Sequence, residues 1–231
     1  MNEVAHTFQA AGLYNGLFVM ADRETGSVWT HFDGTVLTGP MAGGGLAMEI
    51  RPMTHTSWGS WLADHENTTV LAQVEQYKPW YGTSGWGDGN IGQGWLGPLF
   101  SDTVINDDDR LPGNELVLGA GVGDDFRAYS LETVEELTVI HDDLGGQPVV
   151  VFLDPVNVFG LAFSAVVDGE ERQFSVENGE VFDGRGTRWR LDGHATDGPD
   201  EGTSLEFVTS FVTEWYGWAT YHPETTIHDS T

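Results

Sequence analysis

Cysteine is absent from this sequence, and lysine occurs once, at Lys78. Without thiols there are no disulfides, thiolate metal sites or cysteine nucleophiles. Bases are scarce altogether: nine Lys and Arg stand against 36 Asp and Glu. Phosphate contacts need clustered Lys and Arg, so nucleic acid and anionic membrane are excluded as partners. No apolar run reaches the ~18 residues of a membrane-spanning helix. Met1–Gly12 has neither a basic nor an apolar signal region, so the chain as written reads as cytoplasmic. An extracellular or cell-surface place follows if the natural start lies upstream of Met1.

What is present suffices for a folded core. The chain has 231 residues, 39% hydrophobic and 12% aromatic, with nine Trp. That composition excludes global disorder. The formal net charge is −27. An acidic tail does not explain it, because the carboxylates are spread along the chain. A halophilic surface does: in molar salt the Debye length falls to about 3 Å and dense carboxylates stop repelling one another.

The chain also resembles itself. Phe8–Leu71 matches Phe174–His228 in order, at an offset drifting from 160 to 157. Gly26-Ser27-Val28-Trp29 returns as Gly186-Thr187-Arg188-Trp189, and Gly34 as Gly193. Gly39-Pro40 returns as Gly198-Pro199, and Leu46 as Leu205. Trp58-Gly59-Ser60-Trp61 returns as Trp215-Tyr216-Gly217-Trp218, and His65 as His222. The glycines supply positive φ at hairpin turns. Thr56/Ser57 and Thr213 are the expected N-caps of a short helix whose two Trp share one face. Pro223 marks where the second helix stops.

Only the later copy has a front half. Leu116–Val122 and Phe126–Ser130 read as strands, and Leu131–Leu137 as a short helix. Pro148–Leu153 reads as a buried strand. Leu161–Val167 and Gln173–Val176 read as strands around an Asp168-Gly169-Glu170 turn. The fold class expected is mainly β (β-rich α+β), two related antiparallel β units with a few short helices, packed as a tandem duplication. Residues 1–75 form a truncated first unit, 76–113 a Gly/Trp-rich connection and 114–231 a near-complete second unit. A sheet lacking its front strands would leave an open edge and an uncovered apolar face. The second unit, a partner copy or sequence upstream of Met1 would have to cover them, and the last is the favoured expectation.

Three stretches, Asp22–Trp29, Gly39-Pro40-Met41-Ala42-Gly43 and Thr56–Trp61, together resemble domain-of-unknown-function family 3179. Leu111-Pro112, Glu115–Gly119, Phe126–Tyr129 and His222–Thr225 fit it as well. The resemblance spans almost the whole chain. It implies a family without an established activity whose members are often exported. Relatives carry a Tyr-Cys-Pro-Leu-Cys-like segment after the buried strand. Here the stretch is Phe152-Leu153-Asp154-Pro155-Val156-Asn157, so no thiol-based role carries over.

Several motifs fail on inspection. Gly119-Ala120-Gly121-Val122-Gly123 follows a strand, but a strand and not a helix comes next, which breaks the dinucleotide fingerprint. Asp22–Trp29 is similar to a quinoprotein propeller blade, yet the repeat period is far too long for a propeller. Asp107-Asp108-Asp109 lacks the alternation of a calcium loop, and the histidines lack metal-ligand spacing. No metal and no cofactor is expected.

The function expected is therefore a non-catalytic binding or structural module. The alternative is a hydrolase or metal-dependent enzyme whose site gathers distant residues, with His65, Asp64 and His222 as candidates. The expected contact surface is Trp80, Tyr81, Trp86 and Trp95, for a carbohydrate or protein partner. The bland reading is that these rings plug the gap between units. Oligomeric state is not encoded in any motif here. The charge generates the first prediction. Raising KCl from about 0.2 M to about 3 M should lift the melting temperature on the order of 10 °C by screening the carboxylates. A midpoint indifferent to salt would contradict the halophilic reading.

Overall fold

The computed structural model describes residues 5–80 and 98–229. The chain opens with a four-stranded antiparallel meander, β1 (Phe8–Tyr14), β2 (Leu17–Asp22), β3 (Val28–Thr30) and β4 (Val36–Thr38), paired in chain order. Helix α1 (Trp58–Asp64) follows, then a 3-10 helix over Glu75–Trp80 and the helical turn α2 (Pro98–Ser101). The remainder begins with β5 (Leu116–Val122), β6 (Asp125–Ser130), β7 (Thr138–Leu144), β8 (Gln147–Asp154) and β9 (Phe159–Ser164). A small hairpin, β10 (Val166–Val167) and β11 (Glu170–Glu171), leads to a second meander. Its strands are β12 (Phe174–Glu177), β13 (Glu180–Asp183), β14 (Arg188–Trp189) and β15 (Ala195–Asp197). Last come β16 (Phe207–Val208), β17 (Ser210–Glu214), α3 (Trp215–Tyr221) and β18 (Thr226–Ile227).

Two further sheets carry the core, in the orders β16-β9-β8-β7 and β17-β5-β6-β18. The run Phe207–Glu214 belongs to both. At Thr209 it leaves β9 for β5, and the Thr209 carbonyl accepts the Gly121 N–H at 2.9 Å. Ser210 secures this corner, its hydroxyl accepting the Ala162 N–H at 3.0 Å. Across the opposite side Tyr129 of β6 donates to Asp142 of β7 at 2.9 Å.

The apolar run in β8 now has a cause. Val149, Val151 and Leu153 point into a core shared with Leu118, Tyr129 and Ala162. Their neighbours Val150 and Phe152 point the other way, onto Phe174, Val181 and Trp189 of the second meander. A strand buried on both faces cannot alternate with polar residues. The outer face of β5 and β6 is covered in turn by α3, whose Trp215 and Trp218 are 0% and 1% exposed. Phe32, just past β3, packs on the far side of that helix, 5.0 Å from Phe211 and 4.5 Å from Tyr221 between ring centroids.

The two meanders share local features. Each first hairpin turns on Asn-Gly with both φ positive, Asn15-Gly16 at 52° and 75° and Asn178-Gly179 at 53° and 81°. This is the turn that fits strand twist. Each has a register shift at its Trp, Val28/Trp29 and Arg188/Trp189. Phe8 meets Trp29 at 5.8 Å and Phe174 meets Trp189 at 5.9 Å. Gly39 (φ 107°) and Gly198 (φ 98°) lie so close to the backbone that a Cβ would fall 2.6 Å from the Ser27 Cα or 2.8 Å from the Thr187 Cα.

Several details depart from expectation. The Gly34 carbonyl accepts from Met48, where the Gly193 carbonyl accepts from Leu205. Met48 and not Leu46 therefore stands in the place of Leu205, because the Gly43-Gly44-Gly45 loop is longer than its counterpart. Ser57 caps α1 as expected, accepting the Ser60 N–H at 3.2 Å, but the N-cap of α3 is Glu214 and not Thr213, with no side-chain cap bond. Leu131–Leu137 shortens to a 3-10 turn over Leu131–Thr133. The Asp168-Gly169 turn joins only β10 to β11, and Phe174 onward pairs with β13 instead.

Two glycines test this packing. A Cβ on Gly119 would sit 2.1 Å from the Trp218 ring, whereas one on Gly59 in α1 meets nothing within 4 Å. Gly119→Ala should therefore cost about 3 kcal/mol or more through forced overpacking. Gly59→Ala should gain ~0.5–1 kcal/mol from helix propensity alone. Thermal or denaturant unfolding in molar KCl reads both, and similar midpoints for the two variants would contradict the packing.

Candidate functional site

The β8–β9 turn is built by one carboxylate. Asp154 Oδ1 accepts the Val156 and Asn157 N–H groups at 3.0 and 3.2 Å, and Oδ2 accepts from Asn157 Nδ2 at 2.7 Å. The turn closes on Val158 at φ 56°. A β-branched residue there is strained, at a cost of about 1–3 kcal/mol. Helix α1 is tied to this turn across a hundred residues of sequence. The Ser57 hydroxyl donates to Asn157 Oδ1 at 2.7 Å, and His55 Nδ1 lies 3.0 Å from the Val158 carbonyl oxygen.

Between helix and turn lies a pocket of about 50 Å³, walled by Trp61, Asp64, His65, Asp154, Asn157, Arg190 and Asp192, with Thr54, Thr56 and Ser60 supplying hydroxyls. Asp64, Arg190 and Leu191 also line an adjoining groove of about 370 Å³ that continues over Glu180, Arg188 and Trp189. That size falls within the range of small-molecule sites. Two of the nine basic residues meet here. Arg190 pairs with Asp192, and Arg188 with Glu180 at 2.8 Å, while the Arg188 Nε is buried without a hydrogen-bond partner.

Asp64 and His65 are thus neighbours in one pocket, with the His65 ring 4.0 Å from that of Trp61. His222 is elsewhere. It stacks on Phe126 at 3.8 Å and lies 4.3 Å from Trp218. Burial pushes its pKa down to about 4, against a smaller opposing pull from Asp33. It is a neutral core group, and the three candidates do not converge. Of the aromatic segment, only the Trp80 backbone is described, at the end of the 3-10 helix. Its side chain, Tyr81, Trp86 and Trp95 lie outside the described residues.

Sequence reasoning missed Asp154, Asn157, Arg190 and Asp192 as site residues. Asp154-Pro155-Val156-Asn157 drew notice only for lacking cysteine, although Asp followed by Pro is itself a turn signal. It also missed a second cluster. Among the described residues, His6, Asp22 and Glu24 are the one trio of His, Asp or Glu whose ligand atoms lie within 4.8 Å of one another. Hairpin register assembles it, with Phe8 opposite Asp22. Burial raises the Asp22 pKa, but hydrogen bonds from Trp29 Nε1 (2.8 Å) and Thr25, with His6 Nδ1 3.5 Å away, outweigh it, and the carboxyl stays well below the usual range. With both its oxygens engaged, Asp22 acts as a structural anchor for the meander.

A family model described as a protein of unknown function, DUF3179, matches residues 1–225. The chain belongs to the DUF3179 family. Neither a curated protein nor a solved structure matches it. Among the described residues of this DUF3179 protein, no helix is long and apolar enough to cross a membrane.

The lowered pKa of His222 carries a sign. The folded state binds fewer protons than the unfolded state between about 6.5 and 4, so stability is full above about pH 6.5 and falls as pH drops through 4. After discounting for partial exposure, the loss is on the order of 2 kcal/mol. His222→Phe should lose less stability than the natural protein between pH 7 and 4. Parallel pH profiles for the two proteins would contradict a neutral core histidine.

Proposed function

We propose that this DUF3179 protein is a non-catalytic binding module of a halophile, arisen by tandem duplication, whose ligand is a neutral polyhydroxylated molecule such as a saccharide. The observation that carries the reading is the meeting, between α1 and the β8–β9 turn, of Trp61 with three carboxylates, an amide and Arg190. An aromatic plate beside planar donors and acceptors suits adjacent hydroxyl groups, since carboxylate and guanidinium each hold two bonds in one plane. Molar salt favours a neutral ligand, because it screens attraction of charged ones beyond about 3 Å. The strain at Val158 supports a functional role for this turn. Duplication is supported by the turns, register shifts and ring contacts common to the two meanders. The aromatic segment with Trp80, Tyr81, Trp86 and Trp95 is proposed as a further contact surface for the same class of partner, or for a protein.

The enzymatic alternative rests on Asp64 and His65 sharing the pocket, as an acid–base pair acting on a glycosidic or ester bond. The two readings diverge under substitution. Titration calorimetry against a panel of neutral oligosaccharides in molar KCl should give saturable binding. Asp64→Ala or Arg190→Ala should weaken it at least about tenfold, the equivalent of one charge-assisted hydrogen bond. No binding to any saccharide, or binding unmoved by both substitutions, would contradict the proposal. Product release that stops with His65→Ala would establish the enzymatic reading instead.

A further inference from the structure

Helices α1 and α3 have the same internal bonds and opposite surroundings. In each, a Trp Nε1 donates to a Thr hydroxyl seven residues on at 2.8 Å, Trp61 to Thr68 and Trp218 to Thr225. In each, a His N–H closes the helix on the Trp carbonyl at 2.9 Å, His65 on Trp61 and His222 on Trp218. Yet Trp215 is 0% exposed and its counterpart Trp58 is 53% exposed. Helix α3 buries five of its residues, and α1 buries none. What covers α3 is the β5–β6 sheet, with Gly119 leaving room for the Trp218 ring.

A second difference points to the same missing cover. The outer strand of the second meander, β12, is met by β7, where His141 Nε2 lies 2.9 Å from the Phe174 nitrogen. The corresponding strand β1 is exposed over Gln9–Gly12. Strands β5 to β9, which belong to two packed sheets, thus cover a helix (through β5 and β6) and a strand edge (through β7) in the later half, and among the described residues both counterparts are exposed in the earlier half.

The charge pattern says what kind of surface belongs there. The protein is coated with carboxylates, yet residues 52–63 and 67–74 contain no Asp, Glu, Lys or Arg. Met53, Trp58, Val70 and Leu71 are exposed within them. Strand β5, which covers α3, is likewise uncharged. A partner with charged side chains would have to strip their water against this face without repayment; an uncharged sheet with a glycine at the contact would not.

We propose that the apolar flank of α1 and the exposed edge of β1 form one docking surface for a β-segment of the β5–β9 kind, an antiparallel β5–β6 hairpin packed on an antiparallel β7–β9 meander. This segment comes from polypeptide outside these 231 residues. Residues 81–97 are much too short to supply strands over the length of Leu116–Ser164. A second copy is not the occupant, because its own β5–β6 sheet already holds its α3.

The test places a second copy of Asn114–Gln173 directly ahead of Phe8 in the full chain, the junction that Gln173 makes naturally with Phe174. A Trp58→Phe version of each protein isolates the Trp58 signal. In molar KCl, Trp58 of the unmodified protein should be quenched readily by acrylamide, with light scattering showing a monomer. In the extended chain its emission should move to the blue, its quenching should fall several-fold, and the melting temperature should rise. The extended chain with Gly119→Leu in the added copy alone should show none of these. Trp58 already shielded in the unmodified monomer would mean that the chain covers itself. Shielding that appears with dimer formation would make a second copy the occupant. Equal behaviour of the two extended chains would mean that no glycine-bearing sheet is recognised. Each of the three outcomes overturns the proposal.

Discussion

The packing of α3 on the β5–β6 sheet depends on Trp218 occupying the space that any side chain at position 119 would need. The ring lies against the β5 backbone, which fixes how closely α3 approaches the sheet and thereby buries Trp215, Ala219 and Val117. That close approach makes β5 and β6 a layer covered on both faces, by α3 outside and by the β7–β9 sheet inside. Phe32 then seals the far side of α3, so the early meander is held by the same contact. The Nε1 bond from Trp218 to Thr225 removes the one polar atom that would make such burial costly. Helix α1 has the same bonds without the burial. Local bonding alone therefore does not place the helix; the glycine-bearing sheet does.

The candidate site follows from a different contact. Ser57 serves two partners at once, capping α1 and bonding Asn157. The helix terminus and the β8–β9 turn are consequently set together, and the carboxylates on each face a common pocket. Asp154 spends its oxygens on its own turn and still borders that pocket. This couples the shape of the site to a residue with an intrinsically strained backbone at Val158. In a surface dominated by acids, Arg188 and Arg190 bring two guanidinium groups beside the pocket, each paired with a carboxylate.

Much of the fold was legible because it is local. The Asp168-Gly169 pair marked a hairpin, the run Pro148–Leu153 marked a buried strand, and Trp pairs three residues apart marked the helices. What was not legible depends on contacts between distant residues. Nothing near Trp58 distinguishes it from Trp215, since the difference lies in a sheet that one has and the other lacks. Asp154 and Asn157 read as a turn until α1, a hundred residues earlier, is brought beside them. His65 and His222 looked equivalent by position, yet one borders a polar pocket and the other stacks on Phe126. The Leu46 assignment slipped by two residues because a glycine loop changes length without leaving a periodic signal.

The central claim is that the two helices differ in their cover and not in their own bonds. Native-state hydrogen exchange in molar KCl tests it most directly, by comparing the His65 and His222 amides, which donate to Trp61 and Trp218 at the same 2.9 Å. The His222 amide should exchange only through global unfolding, and the His65 amide through a local opening that is orders of magnitude more frequent. Equal protection of the two amides would contradict the claim.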